Sequence, residues 1–224
     1  MGVIAVLPYS AWAGNGSEIS ISAFTDDGGD WQKLDYSLTF DVTDRFSTQI
    51  DLTYLEDEED YPNTAAMIHL MYDLGESLTI GVTAGASDEY GYPYHYLGIE
   101  AKYSTEKFEL ELAYSAEDGE DLTYWTQASV LYHLNNKSSI GLDIAVVTGY
   151  DDQRIWLTYN QDIGNGLVAT GHFVVDEYGD QTFGVQLSKK FGAGKTMKHR
   201  DYFTNWWFGA TGTEETTDNS PPNP

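Results

Sequence analysis

The chain has no cysteine, which excludes disulfide staples, thiolate zinc sites and thiol nucleophiles together. Basic residues are scarce: 11 Lys and Arg stand against 36 Asp and Glu, a formal charge of −25. Nucleic-acid affinity comes mostly from Lys and Arg displacing counterions, so this chain has no nucleic acid among its expected partners. Runs of about eighteen apolar residues are also missing, which leaves no transmembrane helix. What is present argues against a disordered acidic tail, because 41% of residues are hydrophobic and 14% aromatic. The length of 224 residues suits one barrel-sized domain. A soluble acidic globule and a membrane β-barrel, whose hydropathy is hidden in alternation, both remain.

Residues 1–13 carry an apolar stretch, Val3 to Leu7, and then Ala11-Trp12-Ala13 ahead of Gly14. Small residues at the first and third places of that triplet match a signal-peptidase site, so 1–13 reads as a signal-peptide remnant. The other reading is a first strand, since the usual basic start is missing. Export places the chain outside the cytoplasm from Gly14 onward.

From Ser17 the pattern has period two. Leu34, Tyr36, Leu38 and Phe40 alternate with Asp35, Ser37 and Thr39; Phe108, Leu110, Leu112 and Tyr114 alternate with Glu109, Glu111 and Ala113. Helical spacing never takes over, so these segments are strands. They number twelve, at about 17–25, 31–43, 46–55, 64–74, 77–86, 96–104, 107–116, 123–134, 138–148, 154–162, 167–176 and 181–191. Most have the length of about 9–11 residues that a tilted strand needs to cross a bilayer. Every second connection is tight, as at Asp44-Arg45, Thr105-Glu106 and Gly164-Asn165-Gly166. Those between are longer and acidic, as at 56–63 and 87–95, and this asymmetry is that of an outer-membrane barrel.

Alternation alone fits a soluble barrel, apolar inside, or a membrane barrel, apolar outside. Aromatics decide for the membrane. Phe46, Tyr72, Tyr103, Phe108, Tyr132, Tyr159 and Phe191 stand near the tight turns, and Phe24, Tyr36, Tyr54 and Tyr114 toward the loops. Two rows of rings with small aliphatics between them form interfacial girdles. The opposite parity is polar on nearly every strand, which a watery lumen satisfies and a closed core does not. The expected fold is therefore all-β: a closed antiparallel up-and-down transmembrane β-barrel of about 12 strands over residues 14–191. A tail, basic-aromatic and then disordered, occupies 192–224.

With those features the chain resembles the bacterial outer-membrane β-barrels, in particular the small porin-like class of about twelve strands. The resemblance covers Ser17 to Phe191 and is sharpest in the final strand, Thr182 to Phe191, which alternates and closes on an aromatic. Members of the class commonly end in such a strand, recognised by their assembly machinery. This chain departs from that pattern, because 33 residues follow Phe191. The resemblance implies the outer membrane of a Gram-negative bacterium. The implied partners are its lipid and lipopolysaccharide, the barrel assembly machinery and small solutes. Twelve-stranded members include oligosaccharide and sialic-acid channels, a nucleoside channel, a phospholipase and autotransporter translocators, and no motif here singles out one of them.

Strand parity sends Lys33, Asp35, Asp41, Asp51, Glu100, Lys102, Glu109, Glu111, Asp143 and Arg154 into the lumen as candidate pore-lining residues. An acidic lining attracts cations and repels anions, so small cations or neutral sugars are the favoured solutes of a passive channel. Pairing of opposite charges across the lumen would instead close it. The Tyr-rich segment Tyr90 to Tyr96 reads as a loop in which Tyr92, Tyr94, His95 and Tyr96 contact substrate, Tyr rings being able to stack on sugars. Packing of that loop on itself is the alternative. His69, His133 and His172 share the lumen parity, but no Ser–His spacing or carboxylate partner marks a catalytic set, so no enzyme is expected. Nor is a cofactor or a metal. The cluster Glu56 to Asp60 lacks the ligand spacing of a calcium loop. The rivals to a channel are a closed structural or surface-interaction barrel and a rim-site hydrolase.

Overall fold

Alternation becomes twelve antiparallel strands: β1 (Gly16–Asp26), β2 (Gly29–Asp41), β3 (Phe46–Glu56), β4 (Pro62–Asp73), β5 (Leu78–Glu89), β6 (Tyr92–Ser104), β7 (Phe108–Asp118), β8 (Leu122–His133), β9 (Ser138–Thr148), β10 (Asp152–Gly164), β11 (Leu167–Asp176) and β12 (Gln181–Phe191). The structure is a computed structural model and describes residues 16–26, 29–56, 62–89, 92–118, 122–148 and 152–191. Both the signal-peptide reading of 1–13 and the tail reading of 192–224 fall outside the described residues. Each strand pairs with its neighbours in sequence, and β1 closes the ring on β12, from Ser17 opposite Phe191 to Thr25 opposite Phe183. Closure leaves no sheet edge with unpaired backbone groups, the condition for a sheet in hydrocarbon.

The strands are longer than the sequence pattern suggests, and the acidic connections correspondingly shorter. Five of them shrink, to 27–28, 57–61, 90–91, 119–121 and 149–151, while 177–180 keeps its expected bounds. The segment 87–95 is therefore not a long loop. Backbone pairing continues as far as Glu89 opposite Tyr92, with Ser87 opposite Tyr94 and Ala86 opposite His95.

The outer wall is apolar. Ile21, Leu52, Val82, Leu97, Ile99, Leu112 and Leu142 are exposed there, Leu97 and Ile99 to more than 60%. Tyr54 and Tyr114 stand outward toward the acidic connections, and Tyr72, Tyr103, Tyr132 and Tyr159 toward the tight turns. A wall this apolar, banded by rings, has its low-energy surroundings in a bilayer and not in water. One girdle residue is misplaced by the sequence reading: Phe24 points inward, because it shares the parity of Ser20 and Ser22, while Ile19 and Ile21 face out.

Tight turns need particular residues. Between β10 and β11, Gly164, Asn165 and Gly166 all have positive φ (98°, 58° and 73°), the left-handed region where Gly and Asn are tolerated. The Asp162 carboxylate accepts the Gly164 amide at 2.7 Å, fixing the turn from one side.

Candidate functional site

The inward face of the barrel has two tiers. On the side of the acidic connections it is apolar: Phe24, Trp31, Leu55, Met67, Tyr96, Trp125, Val147, Trp156 and Val174 form one buried cluster, with Tyr94 packed against it. Glycines make room for it. A Cβ on Gly184 would fall within the Phe24 ring, and one on Gly85 would meet the Met67 sulfur. The sequence reading missed this tier, although a signal was available: Trp31 shares the parity of Lys33, Trp125 that of Gln127, and Trp156 that of Arg154. An aromatic on the polar parity of a membrane strand points into the lumen.

Toward the tight turns the lumen is charged. Lys33 meets Asp35 at 3.3 Å, and Asp35 also accepts the Ser20 and Thr53 hydroxyls at 3.3 and 2.7 Å. His69 bridges two carboxylates, its Nε2 lying 2.8 Å from Asp51 and its Nδ1 3.0 Å from Glu100. The Gln49 amide donates to both oxygens of Asp51. Lys102 pairs with Glu109 at 3.0 Å and Glu111 at 2.7 Å, and His133 reaches Glu109 at 2.9 Å. Parity thus brings together Asp51 with Glu100, Lys102 with Glu109 and Glu111, and Lys33 with Asp35. Asp41, Asp143 and Arg154 also face inward, half-buried, outside those clusters. Asp143 accepts a hydrogen bond from Ser129.

The four residues expected in a substrate-contact loop lie in β6. Tyr92 is the first residue of the strand. The buried Tyr96 hydroxyl is 2.8 Å from that of Ser87, Tyr94 packs on the apolar tier, and His95 faces outward. The segment is barrel wall, because its Tyr residues extend the pairing of β5 and β6 instead of interrupting it.

No protein-family model matches the sequence, and no curated protein matches it significantly. Solved structures do. The KdgM porin aligns at a TM-score of 0.65 with 10% identity, over 78% of this chain and 99% of that one. The NanC porin aligns at 0.64 with 7% identity, over 77% and 100%. An outer-membrane channel from Pseudomonas putida F1 aligns at 0.62 with 13% identity, over 83% and 100%. At identities this low the likeness establishes the fold alone, a closed antiparallel barrel shared with these outer-membrane proteins. Together with the apolar outer wall, that fold points to the bacterial outer membrane as the residence of this chain.

Proposed function

We propose that the barrel is a narrow, passive outer-membrane channel for small solutes, with cations and neutral molecules such as sugars passing in preference to anions. One observation carries the charge preference. Inward-facing carboxylates, among them Asp35, Asp51, Glu100, Glu109, Glu111, Glu117 and Asp143, outnumber the inward cations Lys33, Lys102, Arg154 and Lys190. An excess of fixed negative charge in a confined, low-dielectric passage raises the local concentration of cations and excludes anions. The structural neighbours named above as porins and a channel support transport over catalysis. On this reading the acidic connections gather cations at the mouth, including the divalent ions that bridge lipopolysaccharide.

The packing of Gln49, Asp51 and Gln127, each at most 2% accessible, favours a second reading, a closed structural barrel. Planar bilayers separate the two. In a KCl gradient the channel gives discrete conductance steps with a reversal potential on the K⁺ side, and liposomes carrying it swell in small sugars. A folded, inserted barrel with no conductance and no swelling makes it closed; a Cl⁻-side reversal potential overturns the charge preference.

A further inference from the structure

The boundary between the two lumen tiers runs through β8, β9 and β10. Trp125 and Gln127 are successive inward residues of β8, about 7 Å apart along the strand. On β9, Asp143 lies directly opposite Trp156 of β10 on one side and Ser129 of β8 on the other. Above it on β9 the inward residues are Ala145 and Val147, both buried and apolar. A carboxylate thus stands against an indole and an aliphatic wall.

Its partners are few. Asp143 has its Ser129 hydrogen bond and no ion pair among the described residues, although Arg154 stands one inward step up β10 from Trp156. Gln127 is 98% buried, and neither its amide nitrogen nor its carbonyl oxygen meets a hydrogen-bond partner among the described residues. Buried polar groups are nearly always paired, so an unpaired amide beside an anion lacking a counterion marks a place where a ligand's groups belong.

We propose that Asp143, Gln127, Trp125 and Trp156 form a subsite for a small organic ammonium ion, an alkyl- or arylammonium, and that this is the cation class the lumen selects. The proposal rests on the reading of the lumen as a solute passage. Hydrated metal ions fit poorly, because no group of three metal-ligating side chains occurs among the described residues to replace a hydration shell. An ammonium with an apolar body suits every wall. Its charge pairs with Asp143, an N–H reaches the Gln127 carbonyl, and its carbon-bound face lies on the indoles through cation–π attraction.

Calorimetric titration of the full folded chain in detergent with benzylammonium chloride, at constant ionic strength, tests this. Benzyl alcohol serves as the uncharged control. Saturable binding of benzylammonium is expected, with none of benzyl alcohol, and Asp143→Asn weakens it about tenfold or more. Should Asp143→Asn fail to fold, Trp156→Leu carries the test, with a loss of several-fold expected from the missing ring. Equal affinity in the folded variant, equal binding of the alcohol, or no binding by the wild type overturns the subsite. Asp143-dependent binding by a barrel silent in bilayers would instead sink the channel and keep the subsite. A cation-selective conductance without such binding would do the reverse.

Discussion

Phe24 lies flat on Trp31 inside the barrel, with ring centroids 3.9 Å apart and planes 9° from parallel. The contact joins β1 to β2 across directly opposed positions and anchors the apolar tier on the side of the acidic connections. On the channel reading, this tier rather than the charged one is expected to limit flow, because water meets an apolar constriction poorly. Trp31→Ala is expected to raise single-channel conductance while costing about 3 kcal/mol of stability from the lost ring. Conductance in planar bilayers and the urea midpoint check the two halves. An unchanged conductance in the folded variant would place the limiting constriction elsewhere.

The same pair explains a glycine. Gly184 of β12 has the Phe24 ring where its side chain would be, so Gly184→Ala forces the ring off its stack with Trp31. The expected cost is about 1–3 kcal/mol. In a Phe24→Ala background the added methyl meets open space, and the penalty is expected to vanish. A double-mutant cycle read by denaturant unfolding measures that coupling. Additive penalties would mean that the two residues do not touch in the folded barrel.

His69 is the one described residue bridging Asp51 and Glu100, neither of which pairs with Lys or Arg among the described residues. Removing one member of a buried ionic cluster leaves the other charges desolvated and uncompensated. His69→Leu is therefore expected to cost about 3–5 kcal/mol. The triple variant with Asp51→Asn and Glu100→Gln should recover a large share, since neutral amides tolerate the site without a bridge. Urea midpoints of the single and triple variants decide this, and equal midpoints would show that the carboxylates do not depend on the histidine.

Strand number, closure and the direction of the apolar wall were legible because a membrane strand writes its two faces as period two, and Ile19, Ile21, Leu110 and Leu112 read outward without ambiguity. Strand ends were less legible. Tyr94, His95 and Tyr96 look like a loop by composition, yet pairing with Ala86 and Ser87 holds them in β6, a long-range contact that no local pattern reports. The apolar tier was obscured by an assumption that every aromatic in a membrane barrel seeks the interface. Phe24 and the three inward tryptophans obey strand parity instead, and parity was the stronger rule. Which charges meet across strands depends on register. The sequence places Lys102 and Glu109 in the lumen, but only the register of β6 and β7 puts them 3.0 Å apart.

Lys102 is the cation whose removal should tilt selectivity most. It neutralises Glu109 and Glu111 on β7, and Glu109 also meets His133. Taking a positive charge out of a confined lumen makes its potential more negative, which raises cation occupancy and depletes anions. In a KCl gradient Lys102→Gln is expected to move the reversal potential toward the K⁺ equilibrium value. Lys102→Arg restores the charge and should leave the potential near that of the wild type. Some stability is lost in the glutamine variant, about 3 kcal/mol for a broken buried pair, so folding is verified before conductance is read. A shift in the opposite direction would mean that Glu109 and Glu111 turn away from the conducting path when unpaired, and a zero shift would place all three side chains outside it.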